Sequence, residues 1–293
     1  MTIAFLVFGK DILNFQQAIF SILTILPKID KNERVVVVTD SPEYFKILND
    51  RITVLEVDEM TFENWKGQYN FFWRIKIRAL QMIADKWKGD HILYLDSDTF
   101  LFGNLESIIL NLNSGINMMH KNEGKLSELP TKTERVMWKQ LKGRTYGNIT
   151  IDSNKCMWNA GVVAIAGVNR DKLDLALTIC DEMCKEKVTP RLIEQLALSL
   201  AMNEPIDLLA ANNEIGHYWG NKIEWNQKIN LLLLNNLLRN RTLEHLIEEV
   251  KKIDFKETPI RVKMSTTRLR LEKQLFKILP DRMHTYITSV NQE

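Results

Sequence analysis

Cysteine is scarce in this chain, no long apolar run is present, and neither sign of charge dominates. The three cysteines, Cys156, Cys180 and Cys184, fall at no metal-ligand or redox spacing. They therefore build neither a thiolate metal site nor a redox motif, and an odd, sparse set fits a reducing cytoplasm. Cys180 and Cys184, four apart on an expected helix, read as core or inert surface thiols. The first apolar stretch, Ile3 to Phe8, is too short for a signal or a membrane span and runs into Gly9-Lys10-Asp11. Asn14, Gln16 and Gln17 interrupt the next apolar stretch, so the expectation is strand, loop and amphipathic helix. Without export, the Asn-x-Thr matches at Asn148 and Asn240 carry no glycosylation meaning. A net charge of +2 is not that of a general nucleic-acid binder, and no nucleic-acid partner is expected. No internal repeat or low-complexity segment is evident. What is present is ordinary for a soluble globular protein: 45% apolar and 26% charged residues over 293 positions, enough for one large α/β domain with a helical appendage.

The order of patterns suggests a doubly wound, largely parallel sheet. Ile3 to Phe8 is a short apolar strand. Phe15 to Leu26 has helical spacing and stops at Pro27. Arg34 to Thr39, with four consecutive valines, is a second buried strand ending at Asp40. Ser41-Pro42-Glu43 is expected to open a helix, with serine as cap and proline in the first turn. Ile52 to Val57 is a third strand, Asn70 to Trp87 a helix, and Ile92 to Leu95 a fourth strand. Residues 120–150 turn polar and read as a surface excursion with one short helix, either a substrate-binding loop or plain decoration. Val162 to Ala166 returns to strand, residues 171–186 and 191–203 are expected helices, and the chain beyond Trp225 is helical.

Chemistry enters where the fourth strand stops, at Asp96-Ser97-Asp98. Two carboxylates at the carboxyl end of a central parallel strand stand where open α/β sheets place their ligands. They suit a hard divalent ion carrying a diphosphate. Taken alone, the tripeptide is more simply an acidic turn closing a strand.

Four segments, in order, resemble the nucleotide-sugar glycosyltransferases of the GT-A fold, and most of all family 8. They are Leu93-Tyr94-Leu95-Asp96-Ser97-Asp98-Thr99 with Leu105; Trp158-Asn159-Ala160-Gly161-Val162; Glu194-Gln195; and His217-Tyr218-Trp219-Gly220 with Trp225. The resemblance spans roughly residues 1–225. It implies a nucleotide-sugar-binding catalytic domain over 1–225 and a helical extension over 226–293. It implies Asp96, Asp98 and His217 as ligands of Mn²⁺ or Mg²⁺, with Asp96 also touching the donor. Arg74 is the expected donor-phosphate contact, ahead of Lys76, with a solvated helix face as the alternative. Lys222 falls one place early against the family's Lys-Pro pair, which is replaced by Ile223 and Glu224; it is a second phosphate candidate. Val7, Phe8 and Gly9 after strand one, and Asp40 after strand two, lie where such folds seat the base, and Gly9 permits close backbone approach. Asn159 and Gln195 are the expected sugar-facing amides. Gln195 resembles the residue beside the anomeric carbon in retaining members, whereas Glu194 as a general base would suit inversion.

The activity so implied is transfer of a hexose, with retention, from a nucleotide sugar, expected to be UDP-linked, to a glycan or lipid-linked hydroxyl in the cytoplasm. The basic, leucine-containing stretch from Arg261 to Lys277 is either a peripheral contact with the inner face of an anionic membrane or a helix packed on the domain. The altered Lys-Pro pair leaves a second reading, a degenerate GT-A domain that binds a sugar nucleotide or partner without turnover. A haloacid-dehalogenase-type phosphatase wants Thr or Val four places after its first Asp, where this chain has Phe100. A nucleotide-sugar pyrophosphorylase wants a Gly-rich basic loop after strand one, where this chain has Phe8-Gly9-Lys10-Asp11.

Overall fold

The computed structural model describes residues 1–204, 206–255, 257–261 and 274. The chain opens with β1 (Thr2–Leu6) and α1 (Ile12–Ile25), whose first turn is capped by the Asp11 carboxylate accepting from the Leu13 amide at 3.0 Å. Next come β2 (Arg34–Thr39) and β3 (Thr53–Glu56), joined by a 3-10 helix, Pro42–Arg51. That segment is not the α-helix expected there. Ser41 does not cap it; its hydroxyl donates to Asp40 Oδ1 at 3.0 Å instead. Helices α2 (Glu59–Trp65) and α3 (Arg74–Lys86) lead to β4 (Ile92–Leu95) and β5 (Thr99–Leu101), then α4 (Glu106–Asn113) and β6 (Met118–Met119).

The polar excursion is more structured than its composition suggests. It holds β7 (Asn122–Lys125), α5 (Lys132–Leu141) and a small hairpin of β8 (Thr145–Tyr146) and β9 (Ile149–Thr150). Thr131 and Glu134 form a reciprocal capping box at the start of α5, while Leu126, Met137, Leu141 and Tyr146 bury against the body. The remainder is β10 (Cys156–Trp158), β11 (Val162–Ile165), α6 (Lys172–Lys185), α7 (Ile193–Met202), β12 (Leu209–Ala210), β13 (Ile215–His217), α8 (Lys222–Leu238) and α9 (Leu243–Lys251). No helix among the described residues is long and apolar enough to cross a membrane.

Seven strands form the central sheet in the order β12-β6-β11-β4-β1-β2-β3. All neighbours run parallel except β11, which is antiparallel to both β4 and β6. The period of two sorts the strand residues between two cores. Ile3, Phe5, Val35, Val37, Leu93 and Leu95 face one core, shared with α1, α8 and α9; Ala4, Val38, Ile92 and Tyr94 face the other, shared with α3, α6 and α7. Sheets covered on both faces have near-continuous apolar strands, which is why these were legible as strands. Trp225, Ile229, Leu246 and Val250 belong to the same core as α1. A boundary at residue 225 therefore falls inside α8, and the helical extension is continuous with the main body as far as Val250.

One polar ladder inside α1 positions the site. Gln17, Ser21 and Thr24, all buried, project on one helix face towards the segment after β4. Ser97 Oγ donates to Gln17 Oε1 at 3.2 Å, Ser21 Oγ lies 3.1 Å from Thr99 Oγ1, and the Leu101 amide donates to Thr24 Oγ1 at 2.9 Å. The turn carrying Asp96 and Asp98 is thus tied to the helix beneath it.

Candidate active site

Strand pairing gathers the residues that carry chemistry. β13 runs antiparallel to β5 with His217 opposite Thr99, and the Tyr218 amide donates to the Asp98 carbonyl at 3.0 Å. That brings His217 onto the acidic turn, and one ligand atom from each of Asp96, Asp98 and His217 lies within 4.8 Å of the others. Asp98 and His217 are buried, with His217 Nε2 3.3 Å from Asp98 Oδ1. Lys222, in the first turn of α8, lies 2.9 Å from Asp98 Oδ2. This contact is an ion pair without hydrogen-bond alignment, since Oδ2 has no hydrogen bond among the described residues. Burial alone would raise the Asp98 carboxyl, but His217 and Lys222 outweigh it and hold the group well below the usual carboxylate range. A buried, ionised oxygen without a hydrogen bond, beside a second carboxylate and an imidazole, fits a hard-to-borderline divalent cation such as Mn²⁺ or Mg²⁺.

A chain of amides fixes the imidazole. Asn159 Oδ1 accepts from the Gly161 amide at 3.1 Å and lies 3.0 Å from His217 Nδ1, while Asn159 Nδ2 donates to Glu123 Oε1 at 3.0 Å. With the Asn159 oxygen facing the ring, Nδ1 is the nitrogen that donates to it, and Nε2 is the one turned to the carboxylates, where a metal would take it. Gln195 Nε2 donates to the other oxygen of Glu123 at 2.9 Å, which orients the Gln195 amide as well. Gly161 is a steric requirement of this arrangement, because a Cβ there would stand 2.2 Å from His217 Cε1. Asp96, Asp98, Glu123, Asn159, Gln195, His217 and Lys222 line one cavity of about 520 Å³.

Behind the cavity lies a buried charge cluster. The Lys76 ammonium is 3.2 Å from Asp96 Oδ1 and 3.1 Å from Glu194 Oε1, and it donates to the Ala160 carbonyl at 3.2 Å. Burial by itself would lower the Lys76 pKa, but Asp96 and Glu194 more than offset it, and the net shift is upward. The Tyr94 hydroxyl also donates to Asp96 Oδ1, at 2.8 Å. Lys76 therefore locks the first carboxylate of the turn to the helix that carries Gln195.

The structure separates the expected site residues into three groups. Asp96, Asp98, Asn159, Gln195, His217 and Lys222 converge on the cavity. Val7, Phe8, Gly9 and Asp40 are brought together with one another but do not line it. The Gly9 amide donates to Asp40 Oδ2 at 2.9 Å, the Val7 amide donates to the Val38 carbonyl at 3.0 Å, and the Phe8 ring stacks on Phe62 at 4.4 Å. Gly9 has a φ of +90° with open space where a Cβ would point. Arg74 and Glu194 are not presented to the cavity. Glu194 is buried, and desolvation raises its pKa, partly countered by Lys76. Arg74 Nε and Nη2 donate to the two Asp181 oxygens at 2.7 and 3.0 Å, and Nη1 donates to the Trp65 carbonyl at 2.8 Å. Its guanidinium clamps α3 to α6, with all three of its nitrogens engaged.

Replacing Arg74 with leucine is therefore expected to cost about 1–3 kcal/mol of stability, the range for losing charge-assisted hydrogen bonds. Urea denaturation would read that loss, and nucleotide affinity of the folded variant should match the parent. A selective loss of nucleotide binding would return Arg74 to the site.

Two residues of the network go beyond the leading sequence candidates. Glu123 sits in a stretch without local pattern, and nothing in the sequence signals it. Lys76, ranked behind Arg74, had a signal: it shares a helix face with Ala79, Leu80 and Ile83, all buried. A lysine on a core face needs carboxylate partners.

No family model matches the chain, and no curated protein matches it in sequence. Among solved structures it is similar to an active-site mutant of LgtC, at 13% identity and a TM-score of 0.51, covering 78% of this chain and 95% of that one. It is also similar to the galactosyltransferase LgtC in complex with donor and acceptor sugar analogues, at 12% identity and a TM-score of 0.50, covering 87% and 98%. The chain has the GT-A fold, the α/β architecture of nucleotide-sugar glycosyltransferases.

Proposed function

We propose that the chain is a metal-dependent glycosyltransferase that moves a hexose from a UDP-sugar to a hydroxyl of a glycan or lipid-linked acceptor, with retention of configuration. The observation that carries this reading is the meeting of Asp96, Asp98 and His217 within 4.8 Å in the cavity that also presents Asn159, Gln195 and Lys222. Asp96, Asp98 and His217 would hold the cation, which when bound supplies positive charge to the departing diphosphate. Lys222 adds a mobile point charge on the same side. Its approach to Asp98 supports turnover over the degenerate-domain reading, because the displaced lysine still reaches the metal turn. Asn159 keeps His217 in the tautomer that leaves Nε2 free. The Gln195 amide has its nitrogen engaged by Glu123, leaving Oε1 for the donor sugar.

Glu194 is held away from the cavity by Lys76, which weakens the case for a carboxylate base and for inversion. We favour front-face displacement, in which the acceptor hydroxyl oxygen bonds to the anomeric carbon as the carbon–oxygen bond to the diphosphate breaks. The hydroxyl proton passes to the leaving phosphate. We assign the reaction to the cytoplasm from the three unpaired cysteines. Of the basic stretch Arg261 to Lys277, the proposed contact with anionic membrane, all but residues 261 and 274 lie outside the described residues.

The test is slow donor hydrolysis without acceptor. With Mn²⁺, the protein should release UDP from UDP-glucose or UDP-galactose, EDTA should stop it, and proton NMR should show the α-anomer first. Absence of metal-dependent release from UDP-, GDP- and CDP-hexoses alike would contradict the reading, and initial β-anomer would contradict retention.

A further inference from the structure

Four residues of the site, Glu123, Asn159, His217 and Trp219, also line a second cavity of about 560 Å³. The two spaces share this wall and differ in charge. The first is lined by four carboxylates, Asp96, Asp98, Glu123 and Glu134, against Arg191 and Lys222. The second has a single carboxylate, Glu123, whose two oxygens already accept from Asn159 and Gln195. Facing it are two exposed cations. The Lys121 ammonium makes no ion pair or hydrogen bond among the described residues. Arg261 spends one guanidinium nitrogen on Glu224, at 3.3 Å, where both side chains are solvated, and its remaining guanidinium donors have no side-chain partner among the described residues.

Two aromatic rings complete the space. Phe102 and Trp219 are 44% and 40% exposed in a chain that buries most of its large rings. Exposed rings beside convergent polar groups are the usual furniture of a ligand site, and they suit the C–H faces of a sugar. A molecule seated here would meet the shared wall, with a hydroxyl directed at the cavity that holds Gln195.

We propose that this second cavity is the acceptor subsite and that the acceptor is an anionic sugar, charged by a phosphate or a carboxylate, which stacks on Trp219 and Phe102 and sets its charge between Lys121 and Arg261. The inference rests on the transferase reading above. Its charge logic is separate, because the donor's phosphates lie on the metal side and the acceptor's anion on the side that supplies its own cations.

The experiment is competition-free binding to the full chain loaded with UDP and Mn²⁺, read by saturation-transfer NMR. The probes are glucose 6-phosphate and p-nitrophenyl glucuronide, set against glucose and p-nitrophenyl glucoside. At least one anionic sugar should bind about tenfold or more tighter than its neutral counterpart, as expected for a charge-assisted contact. Lys121→Gln and Arg261→Gln should each shrink that ratio, and added salt should shrink it further. Binding confined to glucose 6-phosphate would assign the charge to phosphate, and binding confined to the glucuronide would assign it to carboxylate. Equal or tighter binding of the neutral sugars, or no binding of either class to protein that does bind UDP with Mn²⁺, overturns the proposal. Failure of UDP itself to bind with Mn²⁺ would instead remove the transferase reading, and this inference with it.

Discussion

Gly161→Ala should cost the protein at least about tenfold in metal-linked nucleotide affinity, or about 1.4 kcal/mol, while leaving a folded chain. The added methyl would stand 2.2 Å from His217 Cε1 and 2.3 Å from Nδ1, distances at which something must move. The Gly161 backbone is not free to yield. Its carbonyl accepts from the Asp96 amide at 2.8 Å, and its amide donates to Asn159 at 3.1 Å. The imidazole must therefore swing, breaking its contact with Asn159 and withdrawing Nε2 from the carboxylates. Overpacking of this kind also costs about 1–3 kcal/mol of stability, so denaturant midpoints belong beside the calorimetry. Affinity unchanged from the parent would mean that His217 is not a ligand.

Lys76→Ala carries the largest expected effect on stability. It removes the cation that lies, among the described residues, between Asp96 and Glu194, whose side chains are 31% and 7% exposed, and strands a buried carboxylate. Losing one partner of a buried pair costs about 3–5 kcal/mol. The second substitution that separates charge from packing is Glu194→Leu combined with Lys76→Met, which replaces the pair by apolar volume. Chemical denaturation should show the double variant recovering most of the loss. If Lys76→Ala alone cost less than about 1 kcal/mol, the cluster would behave as a solvated surface pair and the claim that it locks the turn would fail.

The contrast between Lys76 and Arg74 shows what was legible in the sequence and what was not. Strands stood out because both faces of the sheet are covered, so Val35 to Val38 and Ile92 to Leu95 are apolar without interruption. Asp96 and Asp98 stood out because carboxylates come directly after such a run. Arg74 is favoured by the family resemblance, whereas helix phase favours Lys76: it lies over Leu80 and Ile83, while Arg74 turns to Asp181 on another helix. His217 was reachable only through resemblance, since its place depends on the β5–β13 pairing between segments more than a hundred residues apart in sequence, with no local signature. Glu123 lies in the excursion, whose polar composition concealed a strand and a buried side. The ladder of Gln17, Ser21 and Thr24 was hidden for a related reason: polar residues inside an amphipathic helix read as its wet face until the partner strand is known.

The central claim is that Asp96, Asp98 and His217 hold a cation that in turn holds a nucleoside diphosphate. Calorimetric titration of UDP, GDP and CDP, each with Mn²⁺ and with EDTA, into the parent chain and Asp98→Asn tests it most directly. The account predicts that one nucleotide, UDP, binds only with the metal, and that Asp98→Asn loses the metal-linked part of the affinity. Nucleotide binding indifferent to EDTA, or an Asp98→Asn variant with unchanged Mn²⁺-dependent affinity, would contradict it.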